Sequence, residues 1–396
     1  MNEPRLGQTK KICMVLIDRA NYGRVRTVME AIDQDQSLSL QVICSGTMVL
    51  ERFGLAVEIV KKDGFIVDGS VYIEIEGSLP ITMAKTVGLG IIDFSREFQR
   101  LQPDIVLIMG DRYEALAATL AAAFMNISVA HIQGGEVSGS IDESTRHAIS
   151  KMSHLHFPST ARSAEFLRKM GEDEKYVHNV GCPAGDYIIT QDEKIDPLII
   201  NSSGVGVEID LQKPFILVIF HPVTTQISEQ QERIKILLSV LHDIAMPCIW
   251  LWPNIDAGSE TISRELRKFR EKNEDTWLRM IKNLEPEVFQ KLLKKASCAV
   301  GNSSSFIRDT TFTGTPVVLV GDRQDGRECG HNLVQPEFNS IEIKEAILNQ
   351  LKQGRYQPDT LYGNGTAGSQ IVEHLKEFIP YKQKRLSYVS SNHSNQ

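Results

Sequence analysis

The sequence predicts an α/β fold of doubly wound parallel sheets in two domains, and three observations predict it. Continuous apolar runs recur at 11–17 (KICMVLI), 104–109 (DIVLIM), 214–220 (PFILVIF) and 247–252 (PCIWLW), as strands buried on both faces require. Each run stops at a polar cluster and gives way to a helical pattern, so the clusters collect along one rim of a sheet. The pattern restarts after a polar stretch at 191–213, the best candidate for a linker in a chain whose 396 residues suit two domains, 1–190 and 214–367.

The strand at 11–17 ends at Asp18-Arg19-Ala20-Asn21-Tyr22-Gly23, with a helix expected over 25–32. A strand feeding a glycine-bearing loop and a helix is a phosphate-binding arrangement, although no GxGxxG is present. Arg19 could meet an anion there or be an ordinary surface arginine. A strand at 38–44, a helix over 47–62, an irregular or extended stretch at 64–77 and a helix over 81–101 follow. The strand at 104–109 ends at Gly110-Asp111-Arg112 before an alanine-rich helix over 113–125, where Asp111 could be no more than a helix cap.

The densest stretch is 128–149, SVAHIQGGEVSGSIDESTRHAI. A short strand breaks at Gly134-Gly135, and Glu136, Asp142, Glu143, Arg146 and His147 crowd the loop and the helix that starts near Asp142. This reads either as an active-site loop or as a solvated connection whose charges cap a helix. A strand at 154–157, a helix over 161–170 and a strand at 176–180 complete the first half. In the second half, helices are expected at 234–244 and 260–272 and short strands at 297–300 and 315–320. Gly301-Asn302-Ser303-Ser304-Ser305, at a strand-to-helix junction, suits phosphate and equally suits a cap. A helix is expected at 368–378, and the tail 383–396 is expected to fray.

A formal net charge of −7 argues against nucleic acid and anionic membrane as partners. Six cysteines without CxxC or CxxH spacing read as free thiols of a reducing compartment. No apolar run approaches a bilayer span, so a cytoplasmic protein is expected. His154 and His156 alternate on a strand, but neither a metal nor a cofactor is expected from them.

Read together, GDRYEALA at 110–117, HIQGGEVSGSIDESTRHAISK at 131–151, HPVTT at 221–225, PNIDAGS at 253–259 and GNSSS at 301–305 resemble the hydrolysing UDP-N-acetylglucosamine 2-epimerases of sialic and legionaminic acid synthesis. The resemblance runs from about Cys13 to Phe378. It implies two Rossmann-like domains of the glycosyltransferase-B type facing a cleft, the segment 368–382 returning to the first domain, and a homo-oligomer, dimer or tetramer. It also implies that Arg19, His221, Asn254, Asp256, Ser303, Ser304 and Arg323 meet the uridine diphosphate. Asp111 and Asp142 would face the sugar, and Arg112, Arg146 and His147 would orient or bind nearby.

Three positions depart from what the resemblance implies. Gln133 stands where many members have glutamate, Asn21 where an acidic residue is common, and Asp309 where a glutamate holds the ribose hydroxyls. Glutamine neither gives nor takes a proton in the working pH range, so Glu136 or Asp142 would serve with Asp111, or the sugar differs. The expected reaction removes the C2 proton as UDP leaves, giving a 2-acetamidoglycal that water converts to the free manno epimer. UDP-N-acetylglucosamine is the first substrate reading and UDP-N,N′-diacetylbacillosamine the second. A glycosyltransferase of the same fold and an inactive nucleotide-sugar binder are the alternatives from other classes.

Overall fold

The computed structural model describes residues 9–77, 79–253, 256–273, 277–282 and 284–390. The first sheet holds β1 (Lys10–Leu16), β2 (Leu38–Ser45), β3 (Gly69–Val71), β4 (Ile105–Met109), β5 (Ser128–Ile132) and β6 (Leu155–Phe157). Its order is β3-β2-β1-β4-β5-β6, with every neighbouring pair parallel. The second holds β7 (Val205–Gly206), β8 (Ile216–Ile219), β9 (Cys248–Leu251), β10 (Leu278–Ile281), β11 (Cys298–Gly301), β12 (Val317–Leu319) and β13 (Leu333–Val334). Its order is β13-β12-β11-β8-β9-β10-β7, parallel except for β7 against β10.

Counted from β8, the second sheet repeats the strand order of the first. Each therefore has a point where the chain reverses its direction of travel across the sheet, between β1 and β4 and between β8 and β11. Doubly wound sheets bind ligands in the crevice that opens there, beyond the carboxyl ends of the strands.

The apolar runs are continuous because both faces of each sheet are covered. Along β1, Ile12, Met14 and Leu16 enter one core cluster and Cys13 and Val15 the other. Along β8, Ile216 and Val218 divide in the same way from Leu217 and Ile219. Helix Arg19–Gln34 begins well before its apolar stripe, because the Asp18 carboxylate accepts from Asn21 N at 2.7 Å and caps it.

Four expectations differ from the structure. The helix over 47–62 is broken into two single turns, Gly46–Val49 and Glu51–Phe53, and a short helix Val57–Lys62, since Gly54 and Leu55 adopt positive φ. The strand at 176–180 is absent: the turn Glu174–Tyr176 leaves one bridge, His156 to Val177. The stretch 191–213 contains a helix, Pro197–Ser202, as well as β7, and buries Ile200, Ile209 and Leu211 in the second core. The expected frayed tail is docked as far as Ser387, whose N donates to Gly171 O at 2.9 Å, and the Lys384 ammonium pairs with the buried Glu172 carboxylate. Residues 391–396 lie outside the described residues.

Helix Ala367–Glu377 lies on the first sheet, where Ile371, Val372, Leu375 and Phe378 join the cluster of Ile12 and Met14. Asp186 anchors its start, accepting from Ala367 N at 2.9 Å and Gly368 N at 2.6 Å. The chain thus passes from the first sheet to the second and back again. The two passages touch: Cys182 N donates to Tyr362 O at 2.7 Å, and a Cβ on Gly181, at φ +85°, would lie 2.8 Å from that oxygen.

Candidate active site

The two crevices open onto one cavity. Arg19 after β1, Asp111 and Arg112 after β4, Gln133 after β5 and Asp142 line one side. His221 after β8, Trp252 after β9, Lys282 after β10, Ser303–Ser305 after β11 and Arg323 after β12 line the other. The broken segment 46–56 adds Thr47, Phe53 and Ala56, three side chains that a regular helix would not deliver together.

The first-domain side is built of carboxylates whose surroundings differ. Helix Ile141–Met152, capped by the Ser140 side chain, carries Asp142 in its first turn and Arg146 one turn later. Arg146 is fully buried and holds the Asp111 carboxylate while donating to Glu136 O at 2.7 Å. Burial pushes the Asp111 carboxyl up, but Arg146, Arg327 and Arg308 together hold it well below the usual carboxylate range. Burial also pushes Asp142 up, and there it prevails: Arg323 opposes it at 3.0 Å while Asp111 and Asp256 reinforce it. Gln133 is buried at the cavity wall at φ +65°, a conformation costing a side chain about 1–3 kcal/mol, and donates to Cys182 Sγ at 3.1 Å.

The second-domain side offers donors. Ser303, Ser304 and Ser305 turn from β11 into helix Ser305–Thr311, with Arg24 of the first domain donating to Ser305 Oγ at 2.8 Å and Ser304 Oγ at 3.4 Å. Burial, aided by Arg323, lowers the His221 pKa to about 3, so its ring is neutral at physiological pH. In the unliganded site it is thus a hydrogen-bonding imidazole. The Arg19 guanidinium donates to Leu284 O at 2.6 Å, and burial lowers its pKa to about 10, so it stays charged. Asp309 lines an adjoining pocket with Arg19, Gln290 and Ser303; Oδ2 accepts from Gln290 Nε2 at 2.9 Å, whereas Oδ1 has no partner among the described residues. A buried acceptor of this kind suits a hydroxyl.

Several expected site residues stand elsewhere. Glu136 does not line the cavity: Arg308 grips it through Nε at 3.1–3.2 Å and Nη2 at 2.6 Å, and Arg327 pairs with it as well. Burial opposed by these guanidiniums leaves its pKa at about 2, and with its oxygens held by the second domain away from the cavity it is a cross-domain strut. Arg146 is a buried holder of Asp111, and His147 turns to Glu143 at 3.7 Å, outside the cavity lining. Asp256 is bonded to Arg112 at 2.7 Å, which also grips Glu114 in a fork at 2.7 and 3.1 Å. Asn254 lies outside the described residues. Arg24, Lys282, Arg308 and Arg327 were not singled out from sequence. Only Arg24, one turn beyond the Arg19 loop, carried a signal that could have found it.

The loop after β5 meets the second domain closely. Gly139 N donates to Arg323 O at 3.1 Å, and a Cβ at Gly139 would lie 1.9 Å from Asp322 O. Among the described residues no group of three or more His, Cys, Asp or Glu could hold a metal ion, and no helix is long and apolar enough to cross a membrane.

Residues 30–376 match the family model for UDP-N-acetylglucosamine 2-epimerase. The chain belongs to that family. A Legionella pneumophila relative named UDP-N,N'-diacetylbacillosamine 2-epimerase (hydrolyzing) is 31% identical, over 94% of this chain and 97% of its own. A Campylobacter jejuni relative named GDP/UDP-N,N'-diacetylbacillosamine 2-epimerase (hydrolyzing) is 34% identical, over 84% and 86%. In fold, the chain is similar to the Methanocaldococcus jannaschii UDP-GlcNAc 2-epimerase in complex with UDP-GlcNAc and UDP, with a TM-score of 0.78 at 16% identity, covering 93% of this chain and 100% of that one. The 2-epimerase family thus accounts for the paired sheets of glycosyltransferase-B type, and the chain is an enzyme of that family.

Proposed function

We propose that the enzyme hydrolyses and epimerises UDP-N-acetylglucosamine, giving UDP and free N-acetylmannosamine for the synthesis of sialic-type acids in the cytoplasm, as a homo-oligomer. One observation carries this reading: Asp111 and Asp142 share a single cavity with His221 and the Ser303–Ser305 turn. Candidate proton-transfer groups and a phosphate-type turn thus line the same cavity.

The C2 proton of a 2-acetamido sugar is weakly acidic, so its removal must accompany departure of the diphosphate. Asp111, kept ionised by Arg146, is the base, and Asp142, with its raised carboxyl, is the acid. Hydroxyl and backbone donors at Ser303–Ser305, with Arg19 and Arg24, stabilise charge on the leaving diphosphate. Arg19 Nε and Arg24 Nε are buried without hydrogen-bond partners among the described residues, which supports an anion at this end. The glycal then takes a proton at C2 from the opposite face and hydroxide from water at C1.

A second substrate reading, UDP-N,N′-diacetylbacillosamine, is favoured by Gln133, which lines the same cavity as Phe53, Ala56 and Met109. An amide and apolar side chains suit an added acetamido group and a 6-methyl group, and the names of two relatives agree. Incubation of each UDP-sugar in D2O tests both readings. UDP and a manno-configured sugar with deuterium at C2 are expected. Product lacking deuterium overturns the mechanism, and relative turnover chooses the sugar.

A further inference from the structure

Arg323 has two claims on its charge. Its Nη2 donates to Asp142 Oδ2 at 3.0 Å, and its Nη1 reaches Asn302 O, the carbonyl preceding the serine turn, at 3.4 Å. It lines the same cavity as Ser303 and Ser304. The charged groups facing Asp142 are Arg323 from the loop after β12, Asp111 and Arg112 from the end of β4, and Asp256 from the loop after β9. On its own helix, Glu143 is turned to Ser138 N and Arg146 to Asp111. Arg112 is committed to Glu114 and Asp256. Among the described residues, Arg323 is therefore the one cation hydrogen-bonded to Asp142.

Resting on the epimerase reading, we propose that Arg323 is a counter-ion handed from Asp142 to the substrate: a diphosphate on the Ser303–Ser305 turn draws the guanidinium to itself, and Asp142 takes up a proton from solvent. Two phosphate charges compete with one carboxylate for the same fork, and Arg suits both geometrically. Asp142 is then left between Asp111 and Asp256, and like charges at short range favour its neutral form. The proton count closes. Asp111 takes the C2 proton as the C1–O bond to UDP breaks, and the neutral Asp142 gives its proton to C2 of the glycal. Water adds hydroxide to C1 and returns a proton to Asp142, and Asp111 releases its proton to solvent. Arg323 is a positioning residue in this scheme, arming the acid only when a diphosphate is present.

Calorimetric titration of UDP near neutral pH, in buffers of differing ionisation enthalpy, tests the handover. Wild type should take up more protons than D142N, by as much as about one per site. Protons exchanged by UDP itself cancel in that difference. R323Q should also lose the extra uptake, because its Asp142 has no counter-ion to give up; an arginine with a merely structural role would leave it in place. Equal uptake in wild type and D142N overturns the proposal. Should either variant fail to fold, infrared difference spectra of the wild type decide: a protonated-carboxyl band should grow on UDP binding, and its absence is fatal. Failure of the epimerase reading would appear separately, as UDP binding without UDP release from any UDP-2-acetamido sugar.

Discussion

The two rims of the cleft share one topology and differ in chemistry. Both lie where the strand order 3-2-1-4-5-6 reverses, yet the first-domain rim presents Asp111 and Asp142, whereas the second presents Ser303–Ser305 and a neutral His221. The second is preorganised with dipoles that need no protonation change to hold an anion. The first pulls its two carboxyls in opposite directions, Asp111 lowered beside a committed arginine and Asp142 raised by burial beside a shared one. In the proposed reaction a duplicated frame thus separates gripping from proton transfer, because each rim needs a different local field.

Substitutions can break this division. The largest effect is expected for D111N, a loss of turnover of roughly 10²–10⁴-fold with UDP affinity little changed, read from UDP release and calorimetry. If UDP affinity falls in parallel, the rims do not have separate jobs. Next is E136Q, which leaves the buried Arg308 and Arg327 without their shared carboxylate and should cost about 3–5 kcal/mol in denaturant unfolding. Q133E should change the ratio of turnover on the two candidate sugars by roughly tenfold. S303A should weaken UDP binding by about 1 kcal/mol, roughly fivefold, and leave the deuterium content of the product unaltered.

The smallest effect is expected in the shape of a pH profile. A histidine whose folded pKa is lowered to about 3 is neutral above that value and gains charge only below it. H221Q should therefore lower activity evenly between about pH 5 and 8, adding no limb and removing none. A limb that vanishes in H221Q would show a charged imidazole at work.

The sheet frame was legible because both faces of its strands are buried, and the polar clusters marked the strand ends. The less legible strands are those whose apolar signal is short: β10 is four residues interrupted by Arg279, and β13 is two. At the site, Asp111 and Asp142 were legible as carboxylates beside glycines and helix starts. Glu136 misled because its partners, Arg308 and Arg327, are 172 and 191 residues away and belong to the other domain. Charge density in a loop reveals that counter-charges exist, and only the folded chain shows whether substrate or protein supplies them. The break at 47–62 was hidden for a related reason: Gly54 and Leu55 adopt positive φ in a segment that otherwise reads as helix.

The return of helix Ala367–Glu377 to the first sheet bears on how the molecule is made. Ile371, Val372, Leu375 and Phe378 complete an apolar layer that otherwise comes almost entirely from residues 12–180. A nascent polypeptide emerging from the ribosome must therefore finish the whole second half before its first half can close. Until then, that oily flank lies open to chaperones and to premature association, and a stop codon shortly before 367 would strand it there.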